Sequence, residues 1–223
     1  MAGRRGGGGV LGAAAVVMLA LAGAYWVSET RDVEAPAPPQ AAQAPVSPST
    51  AYIPDSRPVE MRIPAIGLVA GFEQGDCRAH DGTIDPATLD LACAYTAPDR
   101  PYALPGSDAQ DLVVIAGHTG SGVEAVFDKL YDGSSDRHTV KIGDALYLRT
   151  EASGEAWLKY TATDLHDPVK ESLRSDASIW GDGATPGRLL TISCIQPPFF
   201  AQSVRNAVVG WQFEGVAGPE AAG

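Results

Sequence analysis

From residue 58 onward the chain reads as short apolar runs cut by turn residues. PVEMRIP (58–64) and IGLVAGF (66–72) predict two strands broken by Pro64, because proline has no N–H to give a ladder. Residues 75–110 are dense in turn pairs (Asp81-Gly82, Asp85-Pro86, Ala97-Pro98, Pro105-Gly106) and predict mostly turns. LVVIA (112–116) predicts a short buried strand ending at Gly117-His118. Val123, Val126, Phe127 and Leu130 fall at helical spacing and predict a short helix over 121–130. Residues 140–150 alternate around Gly143-Asp144, a hairpin or bulge signal, and 157–165 alternate again. A helical or irregular stretch from Pro168 to Trp180 precedes two more strand-like runs, 188–194 and 204–213. Short strands at regular spacing with turns between them predict a mainly β fold, closed or nearly closed into a barrel.

Two stretches break this pattern. VLGAAAVVMLALAGAYWV (10–27) is apolar throughout and long enough to span a bilayer. Arg4 and Arg5 before it favour a cytoplasmic start, and Tyr25-Trp26 suit the far interface. Residues 1–28 therefore read as a transmembrane anchor, or as a signal peptide cleaved near Ala22-Gly23-Ala24. Either reading puts the rest outside the cytoplasm, and the anchored one makes the protein a single-pass protein of the cell membrane. Residues 29–57, rich in Ala, Pro, Gln and Ser, read as an extended linker. The domain is expected over 58–217, with a tail at 218–223.

Charge removes one class of partner. The 223-residue chain carries a net −11, and its part beyond Arg5 is more acidic still. Phosphate binding needs clustered Lys and Arg, and no basic patch is present, so nucleic acid is not an expected partner.

Export makes the three cysteines informative, because thiols tend to pair outside the cytoplasm. Cys77 and Cys93 lie in one turn-rich segment and form the natural disulfide; the competing use of Cys77 is a metal site with His80. Cys194 is left over. It ends the apolar run LLTIS (189–193), and Pro197-Pro198 then stops regular structure. His118 likewise sits just past a strand end, and Arg205 opens a run that can return beside Cys194. A thiol needs a neighbouring positive charge to react as thiolate, a histidine can protonate a leaving amine, and a guanidinium can face an oxyanion. The plainer alternatives are a packed cysteine, a turn histidine and a surface arginine among many acids.

In order, these segments resemble the sortases, a family of cysteine transpeptidases. The matching text is IPAI (63–66), VVIAGH (113–118), FDKL (127–130), the Gly143-Asp144 pair, LTISC (190–194) and RNAVV (205–209). GTIDPATLDLACAYTAP (82–98), LPGS (104–107) and VEAVF (123–127) look closest to the actinobacterial class F branch. Ser193 departs from the family's usual threonine, and Cys77 and Cys93 lie outside its shared pattern. The resemblance implies a closed barrel of about eight strands with short helices. It implies His118, Cys194 and Arg205 as catalytic residues, with Thr191, Ser193 and Trp180 on the substrate side. The implied reaction cleaves an LPxTG-like sorting signal between Thr and Gly through a thioester and passes it to an amine. The implied partners are surface proteins bearing that signal and the amine of a peptidoglycan precursor; no cofactor or metal is implied. Papain-like hydrolases place cysteine before histidine along the chain, and L,D-transpeptidases keep histidine and glycine close to the cysteine, so neither pattern fits. A sortase-like domain that only binds, without catalysis, is the non-enzymatic alternative.

Overall fold

The computed structural model describes residues 51–80, 82–96, 102–197 and 201–223. The segment read as an anchor, and the linker up to residue 50, lie outside these. Among the described residues no helix is long and apolar enough to cross a membrane.

Eight strands close into a barrel. In chain order they are β1 (Pro58–Ile63), β2 (Leu68–Asp76), β5 (Leu91–Ala94), β6 (Val113–Ala116), β9 (Ala145–Thr150), β10 (Trp157–His166), β11 (Arg188–Cys194) and β12 (Asn206–Ala217). Around the barrel the order is β1-β2-β5-β6-β11-β12-β10-β9, and β9 pairs back onto β1. Two small hairpins stand outside it: β3 (Arg78–His80) with β4 (Thr83–Asp85), and β7 (Tyr131–Asp132) with β8 (Arg137–His138). Two one-turn helices, α1 (Lys170–Leu173) and α2 (Ala177–Trp180), lie between β10 and β11.

The expected barrel is thus present, with local differences. Pro64 does end β1, through a 3-10 turn at Pro64–Ile66. Residues 121–130 form bends and one 3-10 turn at Asp128–Leu130, not a helix. Phe127 and Leu130 are buried there by packing on the barrel rather than along a helix face. The turn-rich stretch 75–110 contains β3, β4 and β5, whose runs of three or four residues are too short to show alternation. Both ends of the domain pack beyond the expected limits. Ile53 is buried and exchanges hydrogen bonds with Ser107, and the Trp157 indole N–H donates to Pro219 O across 3.2 Å.

β6 and β11 pair in parallel and are buried on both faces. Parallel strands covered on both sides read as continuous apolar runs, as VVIA and LLTIS do. Period-two alternation splits their side chains. Val113, Ile115, Leu189, Val209 and Trp211 join the barrel interior, while Val114, Leu190, Ile192 and Val208 form a second cluster on the outer face, under Ile179, Leu173 and Trp180. Thr191 faces inward, fully buried, and accepts the Trp211 Nε1–H across 3.1 Å.

A carboxylate ties this wall to the next one. Asp164 on β10 takes both Arg188 Nη groups (2.9 and 2.8 Å) and His166 Nε2 (2.8 Å). It reaches them across Gly210, where an added Cβ would lie 2.3 Å from Asp164 Oδ2. Burial pushes the Asp164 carboxyl up, but hydrogen bonds from Arg188, Thr163 and His166 outweigh it and hold the group at about 2. A carboxyl depressed in the folded state stabilises it above the unfolded-state value and loses that contribution as pH falls. Stability is therefore expected to decline as pH drops from about 4 towards 2. In urea titrations the Asp164→Asn variant should be less stable at pH 7 and should show a shallower loss over that window.

Candidate active site

The parallel register of β6 on β11 sets the site. Leu190 lies opposite Val114 and Ile192 opposite Ala116, and the Gly117 N–H donates to Ile192 O across 3.1 Å. Two residues further along each chain come His118 and Cys194, on the same outward parity. Adjacent strands lie about 4.8 Å apart, so the register brings imidazole and thiol to neighbouring positions at one end of the sheet. On the other side of Cys194, β12 runs antiparallel with Asn206 as the cross-strand partner. His118, Cys194 and Asn206 therefore stand in a row across three strands, and all three line one cavity of about 520 Å³.

The segments carrying this row are cross-tied. The Thr119 hydroxyl donates to Cys194 O (2.9 Å), the Asn206 amide donates to Ser193 O (3.0 Å), and the Ile195 N–H donates to Arg205 O (2.9 Å). The Phe127 N–H donates to His118 O (3.0 Å), and Phe127 packs so closely on Gly117 that a Cβ there would sit 2.7 Å from its ring. Glycine before the histidine is thus a packing requirement. Such ties hold reacting groups in place without using their own side chains.

The β3–β4 hairpin forms the facing wall, with His80, Thr83, Ile84, Asp85 and Pro86 on the cavity. Pro86 O accepts a hydrogen bond from His118 Nε2 (2.9 Å), and an Asp85 oxygen lies 3.9 Å from the same nitrogen. With its proton on Nε2, the neutral ring keeps Nδ1 as its acceptor. The hairpin is fastened at its root by the Cys77–Cys93 disulfide (Cα–Cα 5.1 Å) and by the Cys77 N–H donating to Ala94 O (2.8 Å). Cys77 is therefore not free to ligate a metal with His80. Cys194 is the one free cysteine, half-buried at the cavity edge.

The remaining expected site residues are placed differently. Arg205 precedes Asn206, just outside β12, in an isolated bridge with Val169. There it pairs with Asp167 (2.8 Å) and with Asp136, which also accepts from the Tyr131 hydroxyl. The hydrogen bond from Arg205 holds the Asp136 carboxyl below its usual range. Arg205 does not line the cavity; Lys170, at the start of α1, does. Thr191 is occupied inside the barrel with Trp211. Ser193 reaches the cavity wall, but its hydroxyl is buried without a partner among the described residues. Trp180 stacks on Tyr102 (5.6 Å) and donates to Leu173 O (2.6 Å), packed behind the cavity rather than in it. Sequence reasoning did not single out Asn206, Asp85, Pro86 or Lys170. Asn206 was reachable from strand parity once its register was known, whereas Lys170 carried no signal.

No protein-family model matches the chain, and neither does a curated protein. Solved structures do match. Sortase A from Corynebacterium diphtheriae superposes with a TM-score of 0.50 at 21% identity, over 77% of this chain and 65% of that one. The fold is sortase-like. Sortase A from Listeria monocytogenes (TM-score 0.49, 16% identity, 74% and 91% covered) and sortase C-1 from Actinomyces oris (0.47, 20%, 70% and 72%) also match. In this sortase-like barrel the disulfide closes a 16-residue separation at the foot of the cavity wall. Its loss in the Cys77→Ala/Cys93→Ala double variant should cost about 3 kcal/mol by loop-closure entropy. Denaturant midpoints would measure that cost. Hydrogen exchange should show faster amide exchange over 78–86 than in β10 and β12.

Proposed function

We propose that the protein is an extracytoplasmic cysteine transpeptidase, anchored in the membrane through residues 10–27 and closest to the class F sortases. It cleaves an LPxTG-like sorting signal between Thr and Gly and transfers the new acyl end to an amine of the cell wall. The observation that carries this reading is the register placing His118 and Cys194 side by side at the end of two parallel strands, inside one cavity. A thiol and an imidazole on rigid strand ends are what acyl transfer through a thioester requires.

The Cys194 thiol gives its proton to His118, and the thiolate so formed attacks the threonine carbonyl carbon. The C–S bond forms as the carbonyl π pair moves to oxygen, and the tetrahedral species collapses by breaking the C–N bond. His118 delivers a proton to the departing glycine amine. The incoming amine then attacks the thioester carbonyl, gives its proton to His118 and releases the thiolate. The apolar part of the cavity, Ile84, Ala116 and Ile192, suits the uncharged part of such a signal. The partners on this reading are surface proteins bearing the signal and a peptidoglycan precursor amine.

Mass spectrometry of the full-length chain with an LPxTG peptide and triglycine tests the reading. Wild type should give a peptide cut after Thr and joined to triglycine. Cys194→Ala should give none, and His118→Ala should be slower by about 100-fold or more. No cleavage across a panel of signals, with Cys194 still open to alkylation, would point instead to a sortase-like domain that only binds.

A further inference from the structure

An ion pair from outside the barrel meets His118 at its anchor. On the β3–β4 hairpin Arg78 stands opposite Asp85, and their side chains pair across 3.3 Å. The same Arg78 Nη2 donates to Pro86 O (3.2 Å), the carbonyl that also accepts from His118 Nε2 (2.9 Å). One carbonyl thus takes two donors on its two lone pairs, one from a guanidinium and one from the ring. An Asp85 oxygen lies 3.9 Å from His118 Nε2. The hairpin is held there by the Cys77–Cys93 disulfide at its root and by Arg174 donating to Gly82 O near its tip (2.9 Å). Other charged or titratable groups around the ring come from other directions. His80, Lys170 and Cys194 line the cavity with it. Asp128, in the loop that packs on Gly117, gives its carboxylate to the Gly120 and Ala125 N–H groups (2.6 and 2.8 Å).

We infer that the Arg78–Asp85 pair sets the proton balance of His118 from the hairpin, Asp85 favouring the imidazolium and Arg78 opposing it. Both are positioning residues, acting through the ring. The part of this inference that concerns turnover rests on the transpeptidase reading. When the Cys194 thiol gives up its proton, the S–H bond breaks and an N–H bond forms at Nδ1, while Nε2–H stays on Pro86 O. The ring then carries a full positive charge, which a carboxylate beside Nε2 stabilises. The ring must lose that charge again when it protonates the departing amine. A guanidinium bound to both Asp85 and Pro86 O keeps the carboxylate from holding the proton too firmly. A general acid–base works best when its two protonation states are close in energy at the working pH, and two opposed charges on one hairpin provide that. The pair is partly exposed, so its own contribution to stability is small, and its effect on a neighbouring charge is the larger consequence.

Proton NMR of the His118 ring across pH, in the full-length chain and with His118→Gln to identify its signals, reads this without any peptide substrate. The titration midpoint is compared in wild type, Asp85→Asn, Arg78→Gln and the double variant. Asp85→Asn should lower the midpoint by about half a pH unit and Arg78→Gln should raise it by about as much, with the double variant in between. Asp85→Glu and Arg78→Lys, which keep the charges, should stay within about 0.2 units of wild type. The opposite signs are what a merely structural role would not produce, because losing either partner loosens the same hairpin. Midpoints that move in the same direction, or that do not move in either single variant, overturn the inference. The pH profile of peptide cleavage in the same variants separates the two readings. If wild type cleaves no peptide while the midpoints move apart, the charge assignment stands and the transpeptidase reading fails. If wild type cleaves and the profile stays fixed while the midpoints move apart, the role of the pair in turnover fails and the transpeptidase reading stands.

Discussion

The parallel pairing of β6 with β11 is the constraint on which the site depends. Side chains alternate with period two, so one register fixes which residues share a face. With Ile192 opposite Ala116, the next outward positions are Cys194 and His118. A slip of one residue would turn the thiol into the barrel and leave the imidazole outside. The register is protected by burial on both faces. A slip would exchange Leu189 and Thr191 with Leu190 and Ile192 between two differently shaped clusters, and would unpair the Trp211 indole from Thr191. The stability of the wall and the alignment of the chemistry are thus one requirement.

The opposite side of the cavity is held by other means. The β3–β4 hairpin is not part of the barrel ladder, and its two strands have three residues each. A hairpin that short is marginal alone. The Cys77–Cys93 disulfide anchors its root to β5, and Arg174 donates to Gly82 O near its tip (2.9 Å). One contribution at its end is backbone: Pro86 O, just past β4, accepts from His118. A position that acts through its carbonyl accepts many side chains, which is why no residue type marked it in the sequence.

The barrel was legible because its central strands are long enough to show their apolar runs and because turns separate them at regular spacing. His118 and Cys194 were legible as residues just past the ends of those runs. The limits have physical causes. Residues 121–130 carry helical spacing, yet Phe127 and Leu130 are buried by contact with the barrel and Gly117, so the same spacing fits an irregular loop. Arg205 comes just before β12, and sequence gives no parity for a strand whose partner and register are unknown. Asn206, its neighbour, is the residue that parity puts beside Cys194. Lys170 comes to the cavity wall at the start of a one-turn helix held by a backbone bond to Val204, which no periodic pattern encodes.

The excess of acid decides what the arginines of the described residues do. In a chain of net −11, guanidinium groups on the surface tend to find carboxylates. Arg57, Arg62, Arg78, Arg149, Arg188 and Arg205 all do so here. Those pairs order strands and loops. The Arg205 ion pairs then have a second effect beyond their own strength. By holding Asp167 they tie the end of β10 to the start of β12, next to the backbone bridge between Arg205 and Val169.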